Sequence, residues 1–224
     1  MKRILLLLAL CVPLAAQAGV RVEAEIGGAH FSDSGNMTWY QEGLPHNLRL
    51  QTPVVSLGVG GDLYTYGRYG LAWHAAYAYM GPVRTDAVAT PDDANYDRDT
   101  KSCRGECIAH SNFVGRGETH GLRLTLEPYI THRGWRFGIE GGVFVARNFW
   151  NMTVYDWIPA AGYAPQTIQV TDTSGWRAYP VAGLSIGRGN LDIVYRMYWN
   201  QSPPDTQFPA IWSRTQTLTL RYRF

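Results

Sequence analysis

The stretch "TLTLRYRF", Thr217 to Phe224, alternates without a break. Leu218, Leu220, Tyr222 and Phe224 fall on one side of an extended chain. Thr217, Thr219, Arg221 and Arg223 fall on the other. Successive side chains of a strand point to opposite faces, so this period of two reads as a β-strand with one apolar and one polar face. Soluble domains usually fray into a polar tail, whereas this segment reads as structurally required up to Phe224.

The same period recurs over 20–26, 55–63, 69–79, 122–127, 135–145, 177–186 (less cleanly) and 191–199. That predicts eight strands. The connections near 66–68, 131–134 and 187–190 are very short, and those near 32–47, 81–117, 148–175 and 200–210 are long. Short and long alternate, so in an up-and-down meander every tight turn lies at one end and every long loop at the other. Transmembrane β-barrels have this layout, with short periplasmic turns and long extracellular loops.

The first residues fit that destination. Lys2 and Arg3 precede an apolar run over 4–12, Pro13 breaks it, and Ala16-Gln17-Ala18 has the small-x-small form of a signal-peptidase site. Cys11 follows Leu10, where a lipobox needs a small residue. Residues 1–18 therefore read as a cleaved signal peptide and 19–224 as one domain. Losing Lys2 and Arg3 leaves 18 basic residues against 18 acidic ones. That balance gives nucleic acid no basic surface to bind. No apolar stretch is long enough for a helix to span a bilayer.

The two faces decide between a soluble and a membrane barrel. A soluble barrel holds its apolar residues inside. Here the polar face is small and charged, which suits a narrow interior. The expected interior network comprises Arg21, Glu23, Glu25, Asp62, Arg123, Glu127, Arg136, Glu140, Arg177, Asp192, Arg196, Arg221 and Arg223. His74 shares that face and reads as a satisfied structural histidine. Tyr69, Trp73, Tyr79, Trp135, Tyr195, Trp199 and Trp212 fit interfacial aromatic girdles. The fold class is all-β: an eight-stranded antiparallel up-and-down transmembrane β-barrel.

With Leu218, Leu220, Tyr222 and Phe224 at alternate positions, "TLTLRYRF" resembles the C-terminal signature of bacterial outer-membrane barrels. Taken with eight strands, the chain resembles the small barrels of the outer-membrane protein A, X and W and opacity-protein groups. The resemblance implies an integral protein of a Gram-negative outer membrane. It also implies that those four residues are an assembly signal read by the barrel-assembly machinery, and that the partners are outer-membrane lipid and lipopolysaccharide.

Chemistry is sparse. Cys103 and Cys107 lie in the longest loop, where an oxidising periplasm favours a disulfide. Zinc held with His110 and His120, or free thiols, are the alternatives. His30 and Ser32 share one strand face, as in lipid A deacylases, but lack the longer motif of that family. Trp150, Tyr155 and Trp157 either anchor an extracellular partner or cap the barrel. No cofactor or metal is expected. The function expected is a surface structural, adhesion or binding platform. A small channel for ions or hydrophobic compounds is the alternative, and a lipid A-modifying enzyme the distant one.

Overall fold

The computed structural model describes residues 19–33, 46–89, 96–97, 102–103, 107–108, 111–158, 164–173, 175–200 and 212–224. Among these, eight long strands follow in chain order. They are β1 (Arg21–Asp33), β2 (Gln51–Tyr66), β3 (Tyr69–Ala89), β4 (Ser111–His132), β5 (Trp135–Ile158), β6 (Arg177–Arg188), β7 (Leu191–Tyr198) and β8 (Trp212–Arg223). Each pairs antiparallel with its neighbour in sequence. β8 then returns to β1, with Glu23 opposite Arg223 and Ala29 opposite Thr217. The Phe224 N–H donates to the Val22 carbonyl at 2.9 Å. The sheet is thus a closed ring, which removes the edges that an open sheet would expose. At Arg133–Gly134, φ of 50° and 79° gives the doubly left-handed turn that matches strand twist in a two-residue hairpin.

The outer wall is apolar right round the ring. Ile26, Leu57, Leu124, Ile139, Leu184, Ile193 and Leu218 are all exposed, on seven of the eight strands, and Tyr77 is exposed on the remaining one. Soluble proteins rarely expose apolar patches beyond a few hundred Å². A closed barrel with an apolar belt and a charged interior is a membrane barrel of the outer-membrane kind. The protein is an integral outer-membrane β-barrel.

The strands extend further than the alternation suggested. β3 runs to Ala89 and β4 begins at Ser111, so the ends of the expected loop 81–117 are ladder. β5 reaches Ile158, and Gln166–Thr173 pairs back along it, inside the expected loop 148–175. His46–Arg49 pairs with the far end of β3. Cys107–Ile108 meets the end of β5, and Tyr96–Asp97 forms a separate ribbon with Ser102–Cys103. A register shift between Met80 and Val83 explains the misreading. Below it, even-numbered residues of β3 point inward; beyond it, Val83, Thr85 and Ala87 do. In the extension the polarity of the faces also inverts. Trp150, Met152 and Val154 are buried, while Arg84, Asp86 and Arg116 face out.

The expected signal peptide, the segment 34–45 and the loop 201–210 lie outside the described residues. One girdle assignment is corrected: Trp212 is only 1% exposed. Its ring packs edge-on against Phe31, with centroids 5.0 Å apart, and against Trp150 at 6.4 Å. It belongs to an apolar cluster with Met80, Val83, Phe144, Met152 and Tyr198, inside the wall where the faces have inverted.

The tightness of that cluster is testable at Gly117. A Cβ there would lie 2.6 Å from Trp150 and 2.9 Å from Trp212. Gly117→Val is expected to destabilise the barrel by about 1–3 kcal/mol through overpacking. Gly28→Val, whose Cβ would meet nothing within 4 Å, should cost nothing. Heat-modifiability gels read both midpoints, and coincident midpoints would contradict the packing.

Candidate functional site

The lumen below the apolar cluster holds a network of buried charge. Glu25 on β1 receives two guanidinium groups. Arg123 of β4 donates to it at 2.7 and 3.1 Å, and Arg196 of β7 at 2.8 and 2.9 Å. Arg196 also grips Glu140 of β5 at 2.5 and 3.1 Å. Arg221 of β8 donates to Glu140 at 2.7 Å, to Glu127 of β4 at 2.9 Å and to Asp192 of β7 at 2.9 Å. Arg223 takes the other Asp192 oxygen at 2.8 Å. Charge-assisted and two-pronged contacts of this kind are the strongest hydrogen bonds a side chain makes.

Towards the tight turns, the network ends more openly. Arg136 of β5 donates to Glu127 at 3.0 Å, lies 3.8 Å from Asp62 of β2, and stacks over the Tyr129 ring at 3.7 Å. Tyr129 donates its hydroxyl to Asp62 at 2.8 Å. Ser185 of β6 donates to Glu127 at 2.9 Å. His74 of β3 stands between Glu23, at 2.9 Å, and Glu127, at 2.8 Å. Every strand of the ring therefore contributes a polar side chain to one connected cluster.

The charges nearly balance among the described residues. Arg123, Arg136, Arg196, Arg221 and Arg223 face Glu23, Glu25, Asp62, Glu127, Glu140 and Asp192. His74, with a carboxylate on each ring nitrogen, matches the sixth negative charge when protonated. His74, Glu127 and Glu140 could in geometry hold a metal ion. Arg221 already donates to both carboxylates, so a guanidinium stands where the cation would. Little space remains at the turn-side end of the lumen. The cavity among Arg21, Glu23, Asp62, His74, Arg136 and Arg223 measures about 10 Å³, the volume of about one water probe.

The contacts above account for eleven of the thirteen expected interior charges. Arg21 and Arg177 are exposed. Arg21 lies at the turn-end mouth of the lumen, whereas Arg177, opposite Ala146, lies at the far end of β6. Residue parity placed them correctly, but parity says nothing of height along the barrel. Sequence reasoning placed His74 inside as a satisfied histidine without naming its carboxylate partners, and did not find Ser185 or Tyr129 as partners. Their register against the charged residues sets those contacts, and register is not written in any single strand.

The remaining candidates fall in different places. Trp150 is 6% exposed and packs inside the barrel, where it caps the lumen. Tyr155 is exposed at 41%. The Trp157 backbone pairs with Gln166 and Ile108, and its side chain lies outside the described residues. The same holds for Cys103 and Cys107, whose backbones lie opposite Tyr96 and Ile158. His30 is exposed on the outer face of β1, and Ser32 accepts a hydrogen bond from the Arg214 Nε at 3.3 Å. Leu218, Leu220, Tyr222 and Phe224 all face outward.

No protein-family model matches the sequence, and no curated protein does. Among solved structures, the chain is similar to Ail, the attachment invasion locus protein of Yersinia pestis. Identity is 12% and the TM-score 0.42, over 92% of this chain and 97% of that one. Ail in complex with the heparin analogue sucrose octasulfate matches at 11% identity and a TM-score of 0.39, with the same coverage. The architecture rests on this chain's own ring of ladders, not on that likeness.

The network predicts a sharp asymmetry between interior and exterior arginines. Arg196→Gln strips two contacts each from Glu25 and Glu140, and breaking a buried pair on one side costs about 3–5 kcal/mol. Arg188→Gln, exposed at a turn, should stay within about 0.5 kcal/mol. Urea unfolding in lipid vesicles, followed by tryptophan fluorescence, distinguishes the two.

Proposed function

We propose that the protein is a cell-surface platform: a plugged barrel that presents its long connections as a structural, adhesion or binding module. The observation that carries this reading is the filled lumen, ionic near the turns and apolar above. An eight-stranded barrel is only just wide enough for its interior side chains, and here those side chains engage one another. The tight turns at 67–68, 133–134 and 189–190 face the periplasm on this reading. The extended sheet of β3, β4 and β5, flanked by His46–Arg49 and Gln166–Thr173, then stands on the cell exterior with the segments 32–47, 81–117, 148–175 and 200–210. Outer-membrane lipid and the assembly machinery are the partners during biogenesis. Specificity on this reading resides in the external segments, because side chains fill the lumen among the described residues.

Two measurements test this. In planar bilayers, the refolded protein is expected to show no steady conductance. Large, reproducible channel events would instead support a channel. Protease added to whole cells is expected to cut within 90–110 or 159–165 and to spare the three turns, and the reverse pattern would invert the orientation.

A further inference from the structure

The outer wall carries an arrangement that the platform reading does not use. Arg49 lies directly opposite Arg84, and Arg84 directly opposite Arg116, so three arginines form a row across three neighbouring strands. All three are exposed, on the outward face of the extended sheet. Like charges directly opposite one another destabilise a sheet. Nothing in the packing asks for them, because the apolar cluster is on the other face.

The surroundings give the row a shape. A groove of about 430 Å³ runs along it, lined also by Asn47, Asp86 and Val114. Two carboxylates stand nearby and leave the row net positive. Asp86 is the next outward residue on β3, opposite Asn47 and Val114. Glu118 accepts the Tyr79 hydroxyl at 2.8 Å.

The height of the row is defined by what lies below it. Leu122, Leu124 and Leu126 face outward on β4 as part of the apolar belt. Directly above them, His120 stacks on Trp176 with centroids 5.9 Å apart and meets Tyr77 at 6.1 Å. That aromatic rim marks the edge of the hydrocarbon. Arg116 is four residues beyond His120. At about 3.4 Å per residue and an inclination near 40°, that is roughly 10 Å above the rim. This is headgroup depth.

We propose that Arg49, Arg84 and Arg116 form a binding site for the phosphate groups of the outer-leaflet glycolipid. Arginine suits this role, since its planar fork pairs two-pronged with phosphate oxygens. The lipid is favoured over a soluble phosphate because the groove opens on the lipid-facing wall, continuous with the aromatic rim. The proposal rests on the platform reading only in assigning the outer leaflet.

The test uses the refolded full-length protein in neutral detergent, where neither side of a membrane exists, so its outcome does not depend on the barrel's orientation. Tryptophan quenching or native mass spectrometry would follow binding of purified rough lipopolysaccharide, the same lipid after enzymatic dephosphorylation, and inorganic phosphate. Phosphorylated lipid should bind at least about tenfold more tightly than either comparison, a difference well within the reach of direct titration. The triple variant Arg49→Gln, Arg84→Gln, Arg116→Gln should lose that preference, and Arg188→Gln should keep it. Equal binding of the two lipid forms by the unmodified protein would overturn the proposal even if the triple variant failed to fold. So would inorganic phosphate binding as tightly as the lipid, or a folded triple variant that retains the preference.

Discussion

Inside hydrocarbon, a backbone amide has no water with which to replace a missing partner, and each orphan costs several kcal/mol. That constraint organises the molecule. It forces β8 back onto β1, with Glu23 opposite Arg223 and Ile26 opposite Leu220. It fixes the strand parity that sends Leu218 and Leu220 to lipid and Thr219 and Arg221 inward. With eight strands, it also sets a lumen too narrow to be left wet and charged at random. The interior must be satisfied by its own side chains.

The chain meets this requirement in two zones. Near the tight turns, guanidinium and carboxylate groups interlock across the lumen. Glu25 on β1 thereby holds β4 and β7, neither of which is its neighbour in the ring. Desolvating such ions is costly, and a buried network need not stabilise the fold relative to an apolar core. An apolar core is not free to form here, however, because the outer face already carries the apolar residues. Further up, the wall leaves the hydrocarbon, its faces invert, and Phe31, Trp150, Met152 and Trp212 close the lumen as an ordinary core.

How much of this the sequence disclosed follows from the same physics. Period-two alternation is dictated by the pleat, so the eight strands, the tight turns and most of the interior charges were legible residue by residue. Arg123, Glu140 and Arg221 could be assigned to the lumen without coordinates. The upper ladders were hidden. The bulge after Met80 breaks the parity, and the inverted polarity of 83–89 and 111–117 makes a strand resemble a loop. Trp212 was misplaced for that reason, since an aromatic residue beyond the belt points inward and not to the interface. Pairings such as His74 with Glu127, or Arg49 with Arg84, depend on register, which only the assembled ring defines.

The central claim is that ion pairs across the lumen tie opposite strands together. The pair formed by Arg123 and Glu25 is the most direct place to examine it, because β4 and β1 share no ladder. A double-mutant cycle of Arg123→Met and Glu25→Gln, read by urea unfolding in lipid vesicles, isolates their coupling. The account predicts a coupling of about 1–3 kcal/mol, with the double variant less destabilised than the sum of the two single changes. Additive effects, with no coupling beyond error, would contradict it.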